Sequence, residues 1–202
     1  MIKHFFDKIE GWFSFKEQYD RMIDELPKGS TIVEVGTWHG KSLAYLIVEN
    51  LNKDKQFKIY SVDSYDNDYD SYYKKGIEEN KNFLSEAHKS FKNNLKDYTN
   101  NFTQYICKSW DGAKNFEDET IDYAMIDAGH SYDDVKRDIE SYWPKIKKDG
   151  YIGGDDYNNR NDVGKAVDEF VKNNDLKLET VIAKNPVTGK LSNKQHIWLI
   201  KK

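Results

Sequence analysis

The sequence predicts an α/β fold: a doubly wound, mostly parallel, seven-stranded sheet closed by an antiparallel C-terminal hairpin. Three observations predict it. Short β-branched runs alternate with helically spaced apolar segments along most of the chain, as in strand–helix–strand units. The runs end in glycine or aspartate, which lets the backbone leave a buried strand. The last two runs are separated only by a short stretch holding Asn185, Pro186 and Gly189, too little chain for a parallel crossover.

From about Ile2 to Leu26, Phe5, Phe6, Ile9, Phe13, Met22, Ile23 and Leu26 recur at roughly helical spacing, and Pro27-Lys28-Gly29-Ser30 stops that helix. Thr31–Gly36 reads as the first strand, Ser42–Leu51 as a helix and Lys58–Asp63 as the second strand. A long polar stretch follows, with helical patterning at Phe83, Leu84, Ala87, Phe91 and Leu95. Thr103–Cys107 is the third strand, Ile121–Asp127 the fourth, Tyr132–Ile146 a helix and Tyr151–Gly154 the fifth strand. A helix over Asp162–Asn173 precedes the closing pair, Leu178–Ala183 and His196–Ile200.

A chain of 202 residues suits one domain, here with an N-terminal helical extension (1–29) and a helical insertion or substrate cap (64–102). Tyr65, Tyr69, Tyr72 and Tyr73 of the insertion could stack on a ring, or they are ordinary surface residues. The N-terminal aromatics, Trp12 and Phe15 among them, could close over a ligand, join copies into a homo-oligomer, or simply pack a helix. A net charge of -4 gives no nucleic-acid footprint. The single cysteine, Cys107, excludes an intrachain disulfide and reads as a structural thiol. Charges interrupt the apolar N-terminus and no run is long enough to span a bilayer, so the expectation is a cytoplasmic protein without membrane contact.

In a parallel sheet ligands sit beyond the carboxyl ends of the strands, so the residues closing each strand carry the information. The first closes in Glu34-Val35-Gly36-Thr37-Trp38-His39-Gly40-Lys41-Ser42, where glycines let backbone approach a ligand and a helix start offers free N–H groups. Neither a dinucleotide fingerprint nor a Walker A loop is present, and alone the turn is also an ordinary strand-to-helix connection. Asp63 closes the second strand, where a carboxylate can accept hydrogen bonds from ribose hydroxyls or stand in solvent. Asp127 closes the fourth, Asp155 and Asp156 the fifth. Three carboxylates at one sheet edge repel, and a hard divalent cation relieves that repulsion; the alternative is that Asp155 and Asp156 cap a loop. Asp66, Asp68 and Asp70 imitate an EF-hand, but Ser71 and Ile77 occupy its glycine and glutamate positions.

The stretch Ile126-Asp127-Ala128-Gly129-His130-Ser131-Tyr132, through Asp138 and Trp143-Pro144 to Gly150 and Gly154-Asp155-Asp156-Tyr157, resembles the class I S-adenosylmethionine (SAM) dependent methyltransferases. More narrowly it is similar to the small family related to macrocin-type sugar O-methyltransferases, and the resemblance spans roughly Thr31 to Lys202. It implies a Rossmann-like methyltransferase fold. Gly36, Thr37, Trp38 and Gly40 would line the methionine part of SAM, with Ser42 near its carboxylate and Glu34 orienting the segment. Asp63 would hold the ribose, and Ser109 and Trp110 would flank the adenine. Asp127, Asp155 and Asp156 would bind Mg²⁺ or another divalent cation.

One departure stands out. Sugar-modifying relatives carry an acidic base two positions after the metal aspartate, where this chain has Gly129. Catechol-type enzymes place a basic residue three positions after it, where this chain has His130, which either takes a proton from the acceptor or orients an aspartate. Asp127 and His130 are therefore the candidate catalytic residues. The implied activity is cation-assisted O-methylation of a hydroxyl on a small molecule or sugar. The alternatives are a metal-independent SAM methyltransferase and a non-catalytic SAM-binding module.

Overall fold

A computed structural model of the chain describes residues 1–66, 80, 82–158 and 161–202. Among them, α1 (Lys16–Glu25) precedes β1 (Thr31–Val35), α2 (Lys41–Asn52) and β2 (Lys58–Val62). Next come α3 (Phe83–Asn94), β3 (Thr103–Tyr105), α4 (Ser109–Gly112), β4 (Ile121–Ile126), α5 (Tyr132–Tyr142) and β5 (Ile146–Gly154). The chain closes with α6 (Asn161–Asn173), β6 (Leu178–Lys184) and β7 (Leu191–Lys201). The seven strands form one sheet in the order β3-β2-β1-β4-β5-β7-β6. Strands β1 to β5 pair in parallel, and β7 pairs antiparallel with both β5 and β6. This is the doubly wound sheet with an antiparallel C-terminal pair that the alternation of runs predicts.

Strand alternation explains why both faces are covered. On β1, Ile32 packs with Tyr19, Met22 and Ile23 of α1 and Leu43, Leu46 and Ile47 of α2. Its neighbours Val33 and Val35 point the other way, into Val135, Ile139 and Tyr142 of α5 and Val163 and Val167 of α6. Successive side chains of a strand face opposite sides, so a continuous apolar run needs a core on each face.

The N-terminal stretch departs from the helix that its apolar spacing predicts. The helix occupies only Lys16–Glu25, with a 3₁₀ turn at Phe6–Lys8 before it. Gly11 lies between them at φ +112, a conformation that ends helical winding. Phe6, Phe13 and Phe15 are buried regardless, stacked edge-on with one another and with Tyr45 and Tyr19. The apolar pattern thus reports burial correctly while the backbone between is irregular. In the insertion, α3 confirms the helical patterning around Phe83 to Leu95. Tyr69, Tyr72, Tyr73 and the EF-hand-like Asp68, Asp70, Ser71 and Ile77 lie outside the described residues. No helix among the described residues is long and apolar enough to cross a membrane.

Candidate active site

The parallel register brings the strand ends level. Val35 lies opposite both Val62 and Ile126, and Ile126 lies opposite Gly154. The ladder then continues one step past the strands: Gly36 N–H donates to Val62 O (2.8 Å), Asp127 N–H to Val35 O (2.8 Å) and Asp155 N–H to Ile126 O (3.4 Å). Gly36, Asp63, Asp127 and Asp155 therefore leave the sheet along a single edge.

Two cavities open there. The smaller, about 50 Å³, is lined by Gly36, Trp38, Asp63, Ser109, Asp127 and Ala128 among others. The larger, about 470 Å³, takes in Thr37, His130, Asp155 and Asp156 and is also lined by residues 10–14 and by the β6–β7 hairpin. Gly36, Trp38 and Asp127 line both, so the cavities meet over the tips of β1 and β4.

Asp63 organises the loop after β1. Its Oδ2 accepts the N–H groups of Thr37 (2.8 Å) and Trp38 (2.9 Å), and its Oδ1 accepts that of Tyr65 (3.1 Å). Burial pushes the Asp63 carboxyl up, and those three N–H groups pull it back. The Tyr65 hydroxyl donates to Trp38 O (2.8 Å) and its ring stacks on His88, so Tyr65 clamps this loop. No local pattern marks Tyr65 for this part, because its signal is a contact 27 residues away.

Glu34 lies beneath the loop, fully buried, accepting hydrogen bonds from Tyr19 Oη (2.6 Å) and Ser42 Oγ (2.5 Å); burial raises its carboxyl to about 7. Glu34 thus ties α1 and α2 to β1 and lines neither cavity. Ser42 borders the larger cavity with its hydroxyl already given to Glu34. Gly40 forms the N-cap of α2. Trp110 lines neither cavity and carries the Arg137 guanidinium over its ring at 4.2 Å, whereas its neighbour Ser109 lines the smaller one.

The acidic residues divide. One ligand atom each from Asp127, His130 and Asp156 lies within 4.8 Å of the other two, and His130 Nε2 is 3.0 Å from Asp156 Oδ2. Asp155 is engaged elsewhere: its Oδ2 accepts the Ser14 hydroxyl and its Oδ1 accepts Asp156 N–H (2.8 Å). Gln195 Nε2 donates to Ser14 Oγ (3.1 Å) and completes the link from β7. Ser14 and Gln195 are functional-site residues that no local motif announces. Burial and the negative neighbours Asp155 and Asp156 hold the Asp127 carboxyl well above its ordinary range, with His130 opposing them. Burial and Asp156 raise Asp155 to about 6, against the Ser14 hydrogen bond.

A cation suits the trio on this chemistry. Ligands about 2.0–2.6 Å from a common ion lie no more than roughly 5 Å apart. A positive charge would also offset the repulsion that pushes Asp127 up. Two carboxylates and an imidazole form a donor set closer to Mn²⁺ and its heavier neighbours than to Mg²⁺, which prefers oxygen alone.

A family model described as a methyltransferase domain matches residues 33–157. No curated protein matches the chain. Solved structures with the same fold include an rRNA methylase from Streptococcus thermophilus, 14% identical with TM-score 0.63, covering 96% of this chain and 98% of that one. The O-methyltransferase NovP is 17% identical with TM-score 0.66, covering 90% and 77%. A Streptococcus mutans protein solved in complex with S-adenosylhomocysteine (SAH) is 13% identical with TM-score 0.62, covering 96% and 99%. At these identities the likeness establishes the fold.

Proposed function

The chain belongs to the methyltransferase-domain family, and from that membership we propose that it moves the methyl group of SAM onto a hydroxyl of a small acceptor held beside a divalent cation. The observation that carries this reading is the meeting of two cavities at Gly36, Trp38 and Asp127, with His130 and Asp156 in the larger one only. The cofactor would lie along the loop after Gly36 with part of its nucleoside entering the smaller cavity, and an acceptor in the larger cavity would face it across that junction. The macrocin-type resemblance and the fold shared with NovP support an oxygen acceptor. The net charge of -4 and the acidic trio in the cavity weigh against a nucleic-acid acceptor.

SAM would supply an electrophilic methyl on a sulfonium, so the protein's task is alignment and exclusion of water. Asp63 keeps about one acceptor site beyond its three backbone partners for a ribose hydroxyl, and Ser109 and Ala128 would border the base. The loop after Gly36 and the first amides of α2 would face the amino-acid end, where a helix start favours a carboxylate. Trp38, at φ +47, stands at the junction as a fixed wall held by Asp63 and Tyr65. Asp127, His130 and Asp156 would hold the cation, which would lower the pKa of an acceptor hydroxyl and fix its position. Asp155, bonded to Ser14, keeps that trio in register with the N-terminal wall.

Two titrations test this. Wild-type protein is expected to bind SAH, and Asp63→Ala to bind it at least tenfold more weakly by calorimetry. A folded wild type without SAH affinity would remove the assignment. For the cation, Mn²⁺ is expected to bind more tightly than Mg²⁺, and His130→Asn to lose at least tenfold in Mn²⁺ affinity. Retained Mn²⁺ affinity in that variant would take His130 out of the ligand set and leave it as the proton acceptor oriented by Asp156. Undiminished methyl transfer in chelator would discard the cation altogether.

A further inference from the structure

The wall of the larger cavity carries an unusual exposure. Phe6, Phe13 and Phe15 of the N-terminal stretch are buried, yet Trp12 among them is 69% exposed. The Trp12 indole has no aromatic or cationic partner among the described residues. In the same lining, Val187 and Leu191 of the hairpin are also solvent-facing, at 59% and 55%. Large apolar side chains gathered at the mouth of one cavity mark a ligand surface.

The backbone carrying Trp12 is fastened at several points. Lys41 Nζ donates to Gly11 O (2.9 Å), and Lys184 N–H donates to Ser14 O (3.2 Å). The Ser14 hydroxyl is bonded to Asp155, and a Cβ on Gly11 would meet the Trp38 indole at 3.2 Å. An exposed indole on so well-fixed a loop is preorganised: little ordering entropy is lost when a ring settles on it. Lys190 lines the same cavity, and its ammonium has no partner among the described residues.

We propose that Trp12, with Val187 and Leu191 lining the same cavity, is the stacking platform for an acceptor with a flat aromatic ring, and that Lys190 receives an anionic substituent of that acceptor. This rests on the reading that the larger cavity takes the acceptor, and it names the class. The apolar side chains of Trp12, Val187 and Leu191 suit a ring with apolar faces.

The probe is 4-hydroxy-3-methoxybenzoate, a product-like ether that chelates metals poorly and so reports the wall rather than the cation. It is titrated calorimetrically into protein saturated with SAH. Wild type is expected to bind it, Trp12→Ala at least tenfold more weakly, and Trp12→Phe within about threefold of wild type. SAH affinity should stay the same in all three. Lys190→Gln should weaken binding of this acid while leaving neutral 2-methoxyphenol unchanged. Equal affinity in wild type and Trp12→Ala would overturn the platform. Binding of glucose 6-phosphate in place of the aromatic acid would overturn the ring class. Loss of SAH binding in wild type would instead strike the methyltransferase reading, and probe binding without SAH would then judge the platform separately.

Discussion

Gly36→Ala is expected to lose several kcal/mol of stability together with measurable SAH affinity. A Cβ at this position would sit 1.9 Å from the Asp127 carbonyl oxygen and 2.5 Å from its carbon, at φ +87. The left-handed conformation alone costs roughly 1–2 kcal/mol for an L side chain. The obstacle is backbone of β4's end rather than a side chain that could rotate, so the loop must lift away. That movement would break Gly36 N–H to Val62 O and carry Thr37 and Trp38 off Asp63. A fall in melting temperature of ten degrees or more, with no heat from SAH injection, is the expected record. A variant that bound SAH as wild type does would contradict the close approach of the two loops.

The second large effect is a dependence on pH. Burial raises the Glu34 carboxyl from 4.5 to about 7 and the Asp138 carboxyl from 3.8 to about 8. Asp138 is fully buried on α5, where neither carboxylate oxygen finds a hydrogen-bond partner among the described residues. Both groups hold a proton in the folded chain above the pH at which the unfolded chain releases it. Their stabilising contribution is therefore complete below about pH 4 and disappears as pH rises through about 7 and about 8. Asp138→Asn cannot ionise, so at pH 9 it should be more stable than wild type by on the order of 3 kcal/mol, or about 6–12 °C in melting temperature. At pH 5 the two should differ by no more than about 1 kcal/mol. A melting difference that stays constant from pH 5 to pH 9 would refute the ionisation argument.

The strands and their closing residues were legible because burial on both faces writes itself into consecutive Val and Ile residues, and because a parallel sheet puts every strand end on one edge. The antiparallel closure followed from the length of chain around Pro186 and Gly189. The side-chain geometry of the acidic cluster was less legible. Counting carboxylates groups Asp155 with Asp156, but neighbours leaving a strand point in different directions, and Asp156 turns at φ +60 toward His130. Asp155 faces Ser14, 141 residues away, and no local pattern encodes such a pairing. The same holds for Gln195. The N-terminal apolar spacing reads as one helix, but burial of Phe6, Phe13 and Phe15 without helical backbone produces the same spacing. Ser109 borders the smaller cavity, while Trp110, next in sequence, lies under Arg137.

The order of strands has one more consequence. The smaller cavity is assembled wholly from residues between 36 and 128, whereas the larger borrows its walls from residues 10–14 and 183–195. Within the sheet, β6 pairs with β7 alone, so it has no berth there until β7 has docked against β5. On the proposed reading, the nucleoside would be gripped from the middle of the polypeptide, and the surface that selects its companion would be draped from the two flanks. Flanking segments can drift in sequence and recruit a new companion molecule while the central machinery stays as it is.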